Sequence, residues 1–375
     1  MRIAILGGGQ LAKMTAQAAS TLGIESLIWS AERLAPALAV SPRATIGSLD
    51  EAAIRRQLVE HNDVITLESE FVPGKTLREL EEAGGRVLPR PESVAVIQDK
   101  WLQKSALAEA GLPVAEGRPL PDVTAAHAAA DELGFPLVVK TRRLGYDGHG
   151  TVLVPDHTRL QSLFAERRPD ASAWMAEVRI EFSHELSMIV VRGLDGGVAT
   201  YPLVKTLQPQ FVCEEVWAPA PVPAAITAAA RQIALRAAAA LDVVGVLAVE
   251  MFLDAQGNLT INELAPRPHN SGHLTIEACE TSQFENHVRA ICGFPLGLTD
   301  LRAAAAVMVN ILGRQEETVS PRQLARALSV PGAHIHFYGK RQSRLLRKLG
   351  HITVVGDSLA QARERALAAR NLIPF

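Results

Sequence analysis

Two apolar runs, Val243–Leu253 and Leu259–Leu264, flank the short polar segment Asp254-Ala255-Gln256-Gly257-Asn258. No other stretch restricts the fold of this chain as tightly. β-prone runs separated by a glycine-bearing turn read as a hairpin. A tight turn centred on Gln256-Gly257 pairs residues equally far from it, which puts Glu250 directly opposite Glu263 with both side chains on one face. Two facing carboxylates repel unless something compensates them. The hairpin alone leaves two readings, a solvated outer face with two unrelated acids or a site for a divalent cation. Oxygen ligands of this kind suit Mg²⁺, which keeps waters and phosphates as its other ligands. Asn262 faces the other way in an ideal strand and reaches such a site only if the strand twists there.

Lys140 ends a second apolar run, Leu137-Val138-Val139-Lys140. An ammonium there must be paired or wet, so it either holds a phosphate as a point charge or snorkels to solvent. The loop that follows carries Gly145, Gly148 and Gly150, which let backbone N–H groups approach an anion. A further glycine loop, Gly7-Gly8-Gly9-Gln10, follows the first strand and opens a helix, whose N-terminal N–H groups can hold a phosphate or a carboxylate. It is neither the spaced GxGxxG fingerprint nor the GxxxxGK[ST] phosphate loop, which argues against a nicotinamide enzyme.

Strand and helix alternate over the first ninety or so residues. Strands are expected at Arg2–Leu6, Ser26–Ser30 and Val64–Leu67, with helices at Leu11–Leu22, Leu49–Glu60 and Gly74–Ala83, the pattern of a parallel sheet. Further on, helices are expected at Ser93–Ala110, at Ala125–Leu133 capped by Thr124, at Ala224–Leu241, near Pro321–Leu328 and at Ser358–Arg370. β segments are expected at Thr151–Val154, Glu185–Val191, Gly197–Val204, Ala306–Leu312, His334–Tyr338 and His351–Val355. A length of 375 residues implies two or three domains. The boundaries fall at 1–92, 93–298 with a small lid subdomain over about 113–180, and 299–375. With 40 acidic against 38 basic residues there is no broad footprint for nucleic acid or anionic lipid. Three scattered cysteines, Cys213, Cys279 and Cys292, fit a reducing cytoplasm. No signal peptide or membrane span is expected.

Two groups of donors remain. Arg267-Pro268-His269-Asn270-Ser271-Gly272-His273 lies just after the Glu263 strand, and Lys340, Arg341, Arg344, Arg347, Lys348 and His351 cluster near the end. Surface charge is the default reading of the second group. The first, together with Gly7-Gly8-Gly9-Gln10-Leu11, Lys140-Thr141-Arg142-Arg143, Gly145-Tyr146-Asp147-Gly148, Asn262-Glu263-Leu264-Ala265-Pro266, Ser282-Gln283-Phe284-Glu285 and Tyr338-Gly339-Lys340, resembles the 5-(carboxyamino)imidazole ribonucleotide synthetase family of ATP-grasp ligases. The matches keep the family's order from the first residues to the last fifth of the chain.

The resemblance implies an α/β and α+β architecture: an ATP-grasp fold with an N-terminal Rossmann-like parallel-sheet domain and a small β-rich C-terminal domain. It implies ATP-dependent carboxylation of 5-aminoimidazole ribonucleotide with bicarbonate, through carboxyphosphate, in a cytoplasmic homodimer that uses Mg²⁺. Carried over by position, ATP would be met by Lys100, Lys140, the loop Gly145, Tyr146, Asp147, Gly148, His149, Gly150 and Thr151, the linker Glu177, Val178, Arg179 and Ile180, and by Glu185, Gln208, Asn262 and Glu263. Glu250 and Glu263 would hold the metal. The ribonucleotide would be met by Gly9, Gln10, Leu11, Glu70, Asn270, Ser271, Lys340, Arg347 and Lys348, with Tyr146, Asp147, Arg267 and Lys340 at the reaction centre.

Some positions depart from the family pattern. His149 and Thr151 stand where lysine and glutamine are expected, Ala12-Lys13 replaces Gly-Arg, Arg344-Leu345-Leu346 replaces an Arg-Pro-Gly turn, and a histidine near the nucleotide is Gln208. The alternatives are another ATP-grasp ligase acting on a related ribonucleotide, or a degenerate nucleotide-binding paralogue.

Overall fold

A computed structural model of the chain describes residues 1–145, 148–166 and 173–375. The apolar run Ile3–Leu6 is buried and forms the strand Arg2–Leu6, inside a parallel sheet ordered Arg43–Ile46, Glu25–Ser30, Arg2–Leu6, Val64–Leu67. Both faces are covered, as a parallel sheet requires. Ile3, Ile5 and Ile28 pack with Ala12, Ala16 and Ala19 of the helix Gln10–Thr21, and Ala4, Leu6 and Leu27 pack with Ile54, Leu58, Leu77 and Leu80. Val288 and Ile291 of the helix Gln283–Cys292 enter the first of these cores and tie the sheet to the middle of the molecule. The strand Arg43–Ile46 has one buried residue and no periodic apolar pattern, which is why sequence reading misses it.

The single helix expected over Ser93–Ala110 is two, Pro91–Ile97 and Lys100–Glu109. Asp99 divides them. Its carboxylate accepts from the Trp101 and Leu102 N–H groups at 3.0 and 3.3 Å and from Arg142 at 2.9 and 2.7 Å. An aspartate that can bond backbone N–H groups favours a cap over a helix interior. Likewise the helix Val123–Leu133 is capped by Asp122, which accepts from the Ala125 N–H at 2.7 Å, and not by Thr124.

An antiparallel sheet ordered Gly117–Leu120, Trp174–Val178, Leu137–Thr141, Thr151–Val154 follows. Strand alternation gives it two characters. Leu137, Val139, Val154, Trp174 and Ala176 face helices Val123–Leu133 and His157–Glu166, while Val138, Lys140, Leu153 and Glu177 face an open cleft.

The largest sheet is antiparallel and runs Leu259–Ala265, Gly245–Leu253, His184–Arg192, Val204–Leu207, Glu215–Ala218, Ala305–Leu312, Lys348–Gly356, His334–Phe337. The β run expected over Gly197–Val204 is split, with Val198–Thr200 pairing to His184–Arg192. The long C-terminal strands are not a separate sheet, because Ala305–Leu312 pairs with Glu215–Ala218 and continues the central one; the short strands Glu317–Thr318 and Gln342–Ser343 pair with each other apart from it. In place of the helix expected near Pro321–Leu328 there are two short 3-10 turns, Pro321–Leu324 and Ala327–Ser329. The helix Leu359–Asn371 covers the far face of the C-terminal strands with Ala362, Ala366 and Ala369. Among the described residues no helix is long and apolar enough to cross a membrane.

Candidate active site

The hairpin Gly245–Leu253/Leu259–Ala265 places Glu250 opposite Glu263, by a route the sequence does not show. The turn is one residue out of step with a Gln256-Gly257 two-residue loop: Asp254 N–H donates to Asn258 C=O at 3.1 Å, Leu253 pairs with Leu259 and Met251 with Ile261. A bulge between Glu250 and Met251 restores the register, with Asn262 as the extra residue. A bulge re-aims a side chain, and Asn262 joins Glu250 and Glu263 in lining the cleft.

The two carboxylates are not equivalent. Burial and the facing Glu263 push the Glu250 carboxyl well up. Burial raises Glu263 too, but the Lys100 ammonium, ion-paired with it, outweighs this and holds it down. His269 Nε2 lies 3.6 Å from Glu250 Oε1. Burial and then Arg267 push the imidazole down to about 3, so the ring is neutral and is no counter-ion for Glu250. Its Nδ1 accepts the Ser271 N–H at 3.3 Å, which assigns the proton to Nε2.

A divalent cation between Glu250 and Glu263 fits this donor set, which is oxygen-only and has one carboxylate without a cationic partner. No three or more His, Cys, Asp or Glu side chains among the described residues converge as a closed metal site. Waters and phosphate oxygens would complete the shell, as Mg²⁺ prefers.

Facing the hairpin across the cleft, Lys140 Nζ lies 2.6 Å from Glu177 Oε1 and donates to Asn262 Oδ1 at 3.1 Å. Glu177 Oε2 also takes Lys104, at 2.9 Å. Burial raises the Glu177 carboxyl, but Lys140 and Lys104 outweigh it and hold it below the usual range. Sequence reading missed Lys104, whose ammonium is buried and whose only signal was a position one helical turn after Lys100. Arg179, Ile180, Glu185, Gln208, Gly145, Gly148 and Thr151 line the same cleft, a cavity of about 780 Å³. Burial pushes the Glu185 carboxyl up to about 7. Gln208 Nε2 bonds Thr206 Oγ1 at 3.3 Å. His149, Gly150 and Val178 flank this region and are not among the cleft-lining residues. Tyr146 and Asp147 lie outside the described residues.

At the other end Arg267 grips Glu70 through both carboxylate oxygens, one at 2.9 Å. Ser271 Oγ bonds Ser187 Oγ at 2.8 Å, and both polar side-chain atoms of Asn270 are buried with no protein partner. Buried amide atoms normally find a partner, and those of Asn270 stand at the cleft wall with Gln10, Leu11 and Lys348. Lys340 Nζ donates to Lys348 C=O at 2.8 Å, and burial, then Arg347, pushes its ammonium down to about 8. Arg347 donates to Gln342 C=O at 2.9 Å; neither it nor Lys340 is among the cleft-lining residues, but Lys348, whose charge with that of Arg347 acts on Lys340, is.

Glu68 is a second residue missed from the sequence. Its carboxylate accepts the Gly9 N–H at 2.6 Å, at the N-terminus of the helix Gln10–Thr21. Burial raises this carboxyl, and backbone N–H groups of Gly9, Ala12 and Leu11 oppose the rise. The anion expected at the first glycine loop is thus a side chain of the protein itself, and the Gly9 N–H donates to it. A Cβ on Gly7 or Gly9 would overlap that carboxylate.

Three family models match the chain in succession: a ribonucleotide synthetase preATP-grasp domain over residues 1–98, an ATP-grasp domain over 105–284 and a phosphoribosylaminoimidazole carboxylase C-terminal domain over 306–365. The N5-carboxyaminoimidazole ribonucleotide synthase of Synechococcus elongatus is 40% identical over 373 residues, covering 99% of this chain and 93% of that protein. The crystal structure of the N5-carboxyaminoimidazole ribonucleotide synthetase from Thermus thermophilus superposes with a TM-score of 0.90 at 35% identity, covering 100% of this chain and 99% of that one. An Aspergillus clavatus N5-carboxyaminoimidazole synthase, solved with ADP and 5-aminoimidazole ribonucleotide, gives a TM-score of 0.89 at 34% identity, covering 99% and 98%.

Proposed function

The chain belongs to the N5-carboxyaminoimidazole ribonucleotide synthase family of ATP-grasp ligases, and on that footing we propose how its cleft divides the reaction. The activity is the ATP-dependent carboxylation of 5-aminoimidazole ribonucleotide to its N5-carboxyamino form, in purine biosynthesis. Bicarbonate is the carboxyl source. One of its oxygens attacks the γ-phosphorus, the bond to the β-phosphate oxygen breaks, and ADP leaves carboxyphosphate behind. The 5-amino nitrogen then attacks the carboxyl carbon, phosphate departs, and the amine loses a proton.

ATP occupies the end between the small sheet and the hairpin. Lys100 and Lys140 take its phosphates as point charges, and Glu185 accepts from ribose hydroxyls. Glu250 and Glu263 would hold Mg²⁺, which when bound neutralises phosphate charge. The ribonucleotide sits against Gln10, Glu70, Asn270 and Ser271, with its 5′-phosphate toward Lys340, Arg347 and Lys348. Arg267 holds Glu70 in place and adds positive charge beside the reacting carboxyl group. The observation that carries this reading is the convergence of Lys100, Lys140, Glu250, Glu263 and the unpartnered Asn270 amide on one cleft. The domains act as three parts, 1–92, 93–298 and 299–375, in a cytoplasmic homodimer.

The test is ADP release by the purified protein with ATP, Mg²⁺ and bicarbonate, with and without the ribonucleotide. Strong stimulation by the ribonucleotide and ¹⁴C from bicarbonate in the product are expected. ADP release indifferent to the ribonucleotide would send the search to another acceptor.

A further inference from the structure

The turn after the strand Val204–Leu207 holds two consecutive non-glycine residues in the left-handed region, Gln210 at φ 56° and Phe211 at φ 64°. A side chain disfavours that conformation, and a bulky one most. Burial does not explain its retention, since Phe211 is 64% exposed. Such outliers persist where the surroundings require them, and they concentrate at functional sites.

The ring has a definite neighbour. A Cβ built on Gly148 would come within 2.6 to 2.8 Å of Phe211 Cβ, Cγ and Cδ2, so the phenylalanine lies flush on that glycine. Gly148 is itself at φ +77° and follows the Lys140 strand. Its carbonyl accepts the Thr151 N–H at 3.1 Å, and Thr151 pairs with Lys140 across the small sheet. Phe211 belongs to the other side: its N–H donates to Gln208 C=O at 3.1 Å, and Gln208 follows a strand of the large sheet. Both Gly148 and Phe211 line the cleft. The contact therefore bridges the two sheets at the rim, beside the lysine assigned to phosphate.

We propose that Phe211 is a positioning residue for the ligase reaction: its ring seats Gly148 and the turn from Gly148 to Thr151 against the large sheet and keeps water from the ATP end of the cleft. The strained turn is retained because it aims the ring there. Carboxyphosphate hydrolyses if water reaches it, so covering that end raises the share of ATP turnover that ends in carboxylation. This inference rests on the ligase reading above.

The experiment compares wild type, Phe211→Gly and Phe211→Tyr for carboxylated product per ADP, KM for ATP and Tm. Phe211→Gly removes the ring and the strain at that position, leaving Gln210 as it is. Its Tm should hold or rise, while product per ADP falls and KM for ATP rises severalfold. A purely structural role predicts the reverse, a lower Tm with coupling intact. Phe211→Tyr keeps the ring and should couple as wild type does. Wild-type coupling in Phe211→Gly, or equal uncoupling in Phe211→Tyr, would overturn the inference alone. A wild type whose ADP release ignores the ribonucleotide would overturn the ligase reading, and this inference with it.

Discussion

Glu250 stands directly opposite Glu263 although the turn between their strands is out of step by one residue, because the bulge at Asn262 cancels the slip. The pair is asymmetric: Lys100 neutralises Glu263, while Glu250 keeps only a neutral imidazole beside it. One carboxyl is ion-paired and the other has no counter-ion and is pushed toward its neutral form, and the first prediction follows from that asymmetry.

Glu263→Ala removes a proposed metal ligand and also leaves the buried Lys100 without its counter-ion. Turnover should fall by about 10²- to 10³-fold, the range for loss of one strong electrostatic contact in a reaction centre. Glu250→Gln keeps the shape and the Lys100 pair, so its defect should be partly recovered by raising Mg²⁺. Steady-state ADP release over a Mg²⁺ titration distinguishes the two variants, and identical Mg²⁺ curves would argue against unequal roles.

Glu70 and Arg267 form a doubly hydrogen-bonded ion pair, each side chain less than one-fifth exposed. Removing one partner strands the other charge, so Arg267→Met should cost about 3 kcal/mol of stability. The double variant Glu70→Gln with Arg267→Met should lose less than the two single losses added together. Urea unfolding of the four proteins measures this, and strict additivity would mean the pair is not coupled.

Lys340 provides a pH prediction. Burial lowers its ammonium to about 8 in the folded protein, below the ordinary lysine value of 10.5. Between those two values the unfolded chain binds more protons, so this group makes stability rise as pH increases from about 8 toward 10.5. In the proposed phosphate site binding runs the other way, because a lysine that has lost its proton no longer attracts a phosphate. KM for the ribonucleotide should climb above about pH 8, and Lys340→Arg, which stays charged, should flatten that climb. A pH profile of KM that is the same in both proteins would remove Lys340 from the phosphate site.

Gly9→Ala and Gly23→Ala separate two reasons for glycine. Gly9 has an ordinary φ, but a Cβ there would collide with the Glu68 carboxylate. Gly23 is at φ +69° with nothing within 4 Å of a built Cβ. Gly23→Ala should lose only about 1 kcal/mol, from the left-handed backbone, and keep full activity. Gly9→Ala should displace Glu68 and with it Gln10 and Leu11, raising KM for the ribonucleotide. Thermal melts with parallel kinetics decide, and a Gly9→Ala enzyme with wild-type KM would show the Glu68 contact to be dispensable.

Much of the site is legible in local pattern. The alternation in Leu137–Lys140 puts Lys140 on the face opposite the core, and two β-prone runs around a glycine turn give the hairpin, although the bulge that aligns its two carboxylates is not in that pattern. What misleads is also local. Thr124 is a good capping residue, but Asp122 takes the role, and a continuous apolar periodicity over Ser93–Ala110 hides the break at Asp99, which caps the Trp101 and Leu102 N–H groups and also pairs with Arg142 more than forty residues away. Glu68 gives no sign of function in sequence and Lys104 only its place one turn after Lys100, because each is defined by a partner remote along the chain, the Gly9 amide for one and Glu177 for the other.

By itself the sequence determined the strands and helices with strong periodicity, the hairpin that carries Glu250 and Glu263 and the order of the family motifs. These follow from side-chain alternation, turn chemistry and short spacings, which neighbouring residues settle among themselves. Only the tertiary structure decided that the C-terminal strands extend the central sheet, that Asn262 turns toward the cleft, that Glu68 fills the first helix terminus and that Phe211 rests on Gly148. Each of those depends on backbone edges or charges brought together from distant segments, and local preference carries no information about which distant partner will arrive.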